Sequence, residues 1–253
     1  VLDRWVEANA AAMRERLPAD LVFVNHVLLG GPVGAATGAR YVVKAHGSEL
    51  EYSMRGSPEL SEWGREALAA AAAAIVGSQH IREVLDEICG HVDRVHEVPP
   101  GVDVELWVPA AQDDALAALL AESHQDQRNP RNANEPLPNE GNADRLASFL
   151  AGDRATVVYF GKLIENKGVQ VLFEALRGMD ARAVIVGFGD YRSELERLAE
   201  RLDVLFTGPL EHRHLVHLLA LADAAVVPSI FPARYRRGMR RVSILGPISL
   251  GSR

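Results

Sequence analysis

The chain of 253 residues has a single cysteine, Cys89, so an internal disulfide framework is excluded and the sequence suits a reducing compartment. Cys89 reads as a core or near-surface thiol rather than a nucleophile. No apolar run is long enough to span a bilayer. The opening, Val1-Leu2-Asp3-Arg4-Trp5-Val6-Glu7, has neither the basic n-region nor the apolar h-region of a signal peptide. It also has no initiator methionine and reads as the inside of a helix, so the true beginning of the protein is expected to lie upstream. Acidic residues are missing from the last twenty positions, which carry six arginines instead (Arg234, Arg236, Arg237, Arg240, Arg241 and Arg253). A net charge of −7 therefore divides into +6 on that tail and −13 on the rest. An acidic body argues against nucleic acid as the main partner. The expected location is cytoplasmic, with peripheral contact at a membrane left open.

What is present is alternation. Nearly half the residues are apolar, enough for a real core, and strand-like runs alternate with helix-like ones, which indicates α/β architecture with parallel sheets. Leu21-Val22-Phe23-Val24, Tyr41-Val42-Val43, Ala73-Ala74-Ile75-Val76 and Arg94-Val95-His96-Glu97-Val98 read as strands, with helical segments between them. Gly30-Gly31-Pro32 opens a short Gly/Ala-rich helix. It lacks the full G-x-G-x-x-G pattern of a dinucleotide loop. The pattern stops from about Ala110 to Gly152, a stretch that is Ala-rich and then Asn/Pro/Gln/Glu-rich, and that reads as a partly disordered linker. Alternation resumes with strands near 156–160, 182–186, 204–206 and 224–227. The expected domains are 1–109, a linker at 110–152, a second unit at 153–233 and a basic tail at 234–253.

The segment of greatest chemical interest is Gly161-Lys162-Leu163-Ile164-Glu165-Asn166-Lys167-Gly168. It follows the strand Thr156-Val157-Val158-Tyr159-Phe160 and precedes the helical run Val169–Leu176. Loops at the carboxyl ends of strands are where open α/β sheets bind ligands. Glycine permits close backbone approach, two lysines supply positive charge, and a helix start offers unpaired N–H groups. The combination suits a diphosphate. The alternative is an ordinary strand-to-helix turn with two solvated lysines. His212, His214 and His217 resemble a metal triplet, but Leu215, Val216, Leu218 and Leu219 make the segment an amphipathic helix, and no carboxylate or cysteine spacing supports a metal site.

This loop resembles the G-R-L-x-x-x-K-G signature of group 1 glycosyltransferases (glycosyltransferase family four). Other segments follow in that family's order: His46-Gly47-Ser48-Glu49, Gly77-Ser78-Gln79, Pro99-Pro100-Gly101-Val102-Asp103, Val186-Gly187-Phe188-Gly189-Asp190, Phe206-Thr207-Gly208-Pro209-Leu210, Ala222-Asp223-Ala224 and Val227-Pro228-Ser229. The resemblance implies the GT-B fold, two Rossmann-like parallel-sheet domains facing a cleft, here both incomplete. It implies a retaining sugar transfer from a nucleotide-diphosphate donor to a saccharide, lipid or small-molecule acceptor, with no cofactor and no metal.

By the same resemblance, His46 is the catalytic-site histidine that touches the donor sugar; a histidine that merely caps a strand end is the alternative. Lys162 and Lys167, with Gly161, hold the donor diphosphate. Gly187 and Gly189 let the donor lie across the sheet edge, and the Gly208-Pro209-Leu210 turn contacts the nucleobase. Cations and N–H groups fixed on the departing phosphate stabilise charge that develops as the glycosidic bond breaks. Lys162 stands where the family has arginine, which keeps the charge but loses the bidentate fork.

One departure is large. The family places E-x7-E just after the P-S-x-x-P region, whereas no acid follows Asp223 here. A reading-frame disruption from about residue 234 is one expectation, and a basic tail for an anionic surface is the other. Either way, transfer by this chain is expected to be impaired. A non-catalytic nucleotide-sugar-binding module and a nucleotide-sugar epimerase on a related fold remain as alternative functions.

Overall fold

The structure is a computed structural model and describes residues 2–129 and 136–230. The chain divides into two compact units, Val1–Val102 and Asp103–Arg253.

The first unit is a four-stranded parallel sheet in the order β1-β2-β3-β4, formed by Val22–Asn25, Tyr41–Lys44, Ala73–Val76 and Val95–Glu97. Helix α1 (Leu2–Arg14) precedes it. A π-helical turn, His26–Gly30, leads into α2 (Gly31–Thr37). The glycines of this segment serve packing. A Cβ at Gly31 would lie 2.8 Å from Ala67 of α4 (Pro58–Ala70), and one at Gly34 would lie 2.7 Å from the Tyr41 ring. After β2 come a short helix α3 (Gly47–Glu49) and a second π-helical turn, Leu50–Met54. Ser57 and Ser78 cap α4 and α5 (Gln79–Cys89), each hydroxyl accepting from the backbone N–H three residues on. The core is aliphatic: Val24, Val43, Val76, Leu50, Met54 and Leu85 are all buried in it.

The second unit contains β5 (Ala155–Phe160), β6 (Ala181–Val186), β7 (Val204–Gly208) and β8 (Ala224–Ala225), all parallel, in the order β7-β6-β5-β8. Every residue of β6 is buried, as expected for a central parallel strand covered on both faces. Helices α8 (Val169–Leu176), α9 (Arg192–Ala199) and α10 (His212–Ala220) make the crossovers. The order decides where a site can form. The chain builds outward from β5 through β6 to β7, then returns to place β8 on the other side of β5. The topological switch point thus lies between β5 and β8.

The stretch 110–152, read from composition as a linker, contains two helices of the second unit: α6 (Gln112–Ser123) and α7 (Asn142–Phe149). Composition concealed them because one is an alanine-rich run and the other follows an Asn/Pro-rich stretch without sustained periodicity. Leu119, Leu146 and Leu150 nevertheless enter one core cluster with Val158, Val184, Leu215 and Leu218. The segment also covers the free edge of β7. Asn139 donates its backbone N–H to the Thr207 carbonyl at 2.7 Å, and its side-chain amide to the Phe206 carbonyl at 3.0 Å. The Asn142 amide adds a second donor to Thr207 at 2.9 Å. Arg182, at the start of β6, is buried: it donates to the carbonyls of Phe149, Leu150, Ala151 and Gly152 and to Thr156 Oγ1. It therefore caps the carboxyl end of α7, where the helix dipole favours a cation.

Candidate functional site

In the second unit the loop after β5 sits at the switch point. Gly161 has φ 152° and donates its N–H to the Val186 carbonyl at 3.0 Å, so that amide is committed to β6. Lys162 is exposed and Lys167 half-buried. Neither lysine has an ion-pair partner among the described residues. A 3₁₀ turn, Glu165–Lys167, follows and ends at Gly168 in the left-handed conformation (φ 72°), the residue that precedes α8. No side chain caps α8. The loop after β8 closes over this point: Ile230 donates its N–H to the Asn166 carbonyl at 2.9 Å, and the Pro228 carbonyl lies 1.9 Å from where a Cβ on Gly168 would be. Only glycine fits at 168, for both reasons.

The neighbouring glycines are explained by backbone contact. A Cβ at Gly187 would fall 1.8 Å from the Gly161 carbonyl oxygen, and one at Gly189 would fall 2.3 Å from that of Leu163. At Gly208 (φ 71°) it would meet Asn139 and the Leu137 carbonyl, each at 2.9 Å. Gly187 also donates to the Gly208 carbonyl at 2.9 Å. These contacts lock the loops after β5, β6 and β7 into one layer. Pro209 is half-buried, and Leu210 packs into the core cluster that includes Leu215 and Leu218.

In the first unit, His46 follows β2 and is the N-cap of α3. Its Nε2 lies 3.2 Å from Asn25 Oδ1 at the end of β1. Glu49, buried three residues later, accepts from the backbone N–H groups of His46 (3.0 Å), Val27 (2.9 Å) and Leu28 (3.1 Å). One carboxylate thus ties the turn after β1 to the turn after β2. The His46 imidazole is held below the ordinary histidine value, first by burial, then by the neighbouring His26 and Lys44, with Glu49 opposing. The role of Glu49 was readable from H-x-x-E as a capping pattern. Those of Asn25 and His26 were not, because they belong to a different strand end and the turn after it.

Two of the three histidines of α10 make structural contacts. His214 is fully buried with Nε2 2.9 Å from Asp126 Oδ1, and His212 meets Trp107 edge-on. Arg213 pairs with Asp126 and Glu122, which fastens α10 to the end of α6.

Residues 3–106 match the family model described as Glycosyltransferase Family 4, and residues 154–245 match the one described as Glycosyl transferases group 1. The chain belongs to the group 1, family four glycosyltransferases. Among its relatives in this family is the D-inositol 3-phosphate glycosyltransferase of Xylanimonas cellulosilytica, 29% identical over 180 residues, which cover 66% of this chain and 37% of the relative. Another is a GDP-mannose-dependent monoacylated alpha-(1-6)-phosphatidylinositol monomannoside mannosyltransferase of Corynebacterium glutamicum, 27% identical over 232 residues, 88% of this chain and 52% of the relative. The chain thus spans about half or less of the length of these glycosyltransferases. The fold matches sucrose-phosphate synthase from Thermosynechococcus elongatus with TM-score 0.65 and 20% identity, over 90% of this chain and 54% of that one. Anabaena HepE in complex with UDP and glucose matches with TM-score 0.63 and 19% identity, over 88% and 56%. The two parallel-sheet α/β units expected from the alternation are those of GT-B glycosyltransferases. The missing E-x7-E pattern falls at residues 231 onward, outside the described residues, as does the basic tail.

Proposed function

We propose that the chain binds the diphosphate of a nucleotide sugar at the loop after β5 and belongs to the machinery of a retaining glycosyltransferase. The observation that carries this reading is the position of Lys162 and Lys167. Two cations without carboxylate partners among the described residues stand at the switch point of a parallel sheet, beside a helix start that no side chain caps. An anion placed there gains charge-assisted contacts and the favourable end of the α8 dipole. In transfer, those same groups stabilise the departing diphosphate as the bond to the anomeric carbon breaks. His46, on the first unit, is the group assigned to the donor sugar. The acceptor is a saccharide, a lipid or a small molecule; relatives whose names include inositol phosphate and phosphatidylinositol mannosides support a polyhydroxylated one. Among the described residues no helix is long and apolar enough to cross a membrane.

A second reading, donor binding without transfer, is favoured by one observation: no acid follows Asp223 in the sequence, and Asp223 itself is engaged by the backbone N–H of Thr156 at 2.8 Å. Calorimetric titration with nucleoside diphosphates and nucleotide sugars tests both. Binding abolished by Lys162→Ala/Lys167→Ala supports the site. Turnover of a bound donor decides for transfer, and no binding by the folded chain overturns both readings.

A further inference from the structure

His26 is the one described non-glycine residue with positive φ, at 70°. That conformation is uncommon for a residue other than glycine and persists where the surroundings enforce it. What enforces it here is visible. The two residues after His26, Val27 and Leu28, give their N–H groups to the Glu49 carboxylate, which starts the π-helical turn immediately after β1. The consequence for the side chain is specific: the His26 ring lies 4.5 Å from the His46 ring, centroid to centroid, with 34° between the planes. His26 Nδ1 is 3.7 Å from Glu49 Oε1, the oxygen that also accepts from the His46 backbone. Two histidines just beyond the ends of adjacent parallel strands therefore meet one buried carboxylate, His26 by its ring and His46 by its backbone N–H, with Asn25 Oδ1 3.2 Å from His46 Nε2.

We propose that His26 is a positioning residue for His46: its imidazole, held over the His46 ring by a left-handed backbone and Glu49, fixes that ring's plane and keeps its proton on Nε2, facing Asn25. A ring fixed in this tautomer presents its polar edge in one direction only, as a group that must meet a sugar hydroxyl requires. The groups facing His46 are His26 on the turn after β1, Asn25 at the end of β1, Lys44 on β2 and Glu49 on α3. Of these, only His26 lays a ring against that of His46. Charge on the His26 imidazole disfavours charge on His46.

The inference rests on the reading of His46 as the residue facing the donor sugar, but its test needs no donor. Long-range ¹H–¹⁵N spectra of the imidazoles across pH 4.5 to 8.5 report tautomer and titration for each histidine. In the wild type, His46 is expected as the Nε2–H tautomer, with a second inflection in its curve from the charge on the neighbouring ring. His26→Asn keeps a residue that tolerates positive φ and removes the imidazole. In that variant His46 is expected to titrate higher, without the second inflection, and to populate both tautomers. An unchanged His46 tautomer and midpoint in folded His26→Asn overturns the proposal. Should the variant not fold, the wild-type spectra decide: a His46 curve without an inflection from His26, or an Nδ1–H tautomer, overturns it. Donor titration of His26→Asn separates the two claims, because loss of the imidazole coupling with donor binding intact leaves the diphosphate site standing.

Discussion

The carbonyl oxygen of Gly161 occupies the space that a side chain at Gly187 would need: a Cβ there would lie 1.8 Å away. The loops after β5 and β6 are thereby held together by backbone alone, and the position of Lys162 depends on that contact. Gly187→Ala is expected to destabilise the second unit by about 2–4 kcal/mol, since φ 139° is itself unfavourable and backbone must shift. Urea denaturation measures the loss, and amide shifts at 161–163 report the displacement. A variant as stable as wild type would show that the loops are not locked.

Lys162→Ala and Lys167→Ala are expected to weaken nucleoside diphosphate binding by roughly tenfold each, which corresponds to ~1.4 kcal/mol per lost charged contact. Because neither lysine carries an ion pair among the described residues, the melting temperature should change little. Equal binding by the double variant would move the site elsewhere.

Arg182→Ala removes the donor to four successive carbonyls, Phe149 through Gly152, and leaves them buried or half-satisfied. The expected loss is about 3 kcal/mol or more, with α7 the first element to lose hydrogen-exchange protection. Arg182→Lys should recover only part of it, since an ammonium cannot reproduce the fork. Equal stability of the lysine variant would argue that charge alone suffices.

Cys89 is buried in the first unit's core, and burial pushes its thiol up to about 11. Its reaction with a disulfide reagent at pH 8 is expected to be slow and to accelerate in proportion to unfolding in urea. Rapid modification of the folded chain would place the thiol at the surface.

The His46 imidazole, held below 6.5 in the folded state, binds a proton less readily there than in the unfolded chain. Unfolding therefore takes up protons as pH falls through 6.5 and below, and stability must decline on acidification across that window and be fully restored above it. His46→Asn should flatten this part of the profile. An unaltered slope would assign the dependence to other groups.

The strands and crossover helices were legible because local pattern suffices for them: Val157–Phe160 and Ala183–Val186 are apolar runs bounded by glycine. The linker-like stretch was misread for the converse reason. Helix α6 is an alanine-rich run and α7 follows an Asn/Pro-rich stretch, and their leucines acquire meaning only against Val158, Val184 and Leu218. The candidate site divides in the same way. Gly161, Lys162, Lys167 and His46 lie within contiguous motifs and could be picked out one by one. Asn25, His26 and Arg182 could not, because their partners lie 20 or more residues away.

By itself the sequence determined that two runs of strand–helix alternation exist and that a basic, glycine-bounded loop follows the fifth strand. Periodicity and turn chemistry are local properties, and they fix each element's type and its chemical cargo. Only the tertiary structure decided that β8 pairs with β5 rather than following β7, which turns the loop of Lys162 and Lys167 into the edge of a switch point. Only it decided that Glu49 joins the turns after β1 and β2 and so sets one histidine against another. Strand order and carboxylate partnership depend on which distant surfaces bury one another, and that choice is made by the whole core at once.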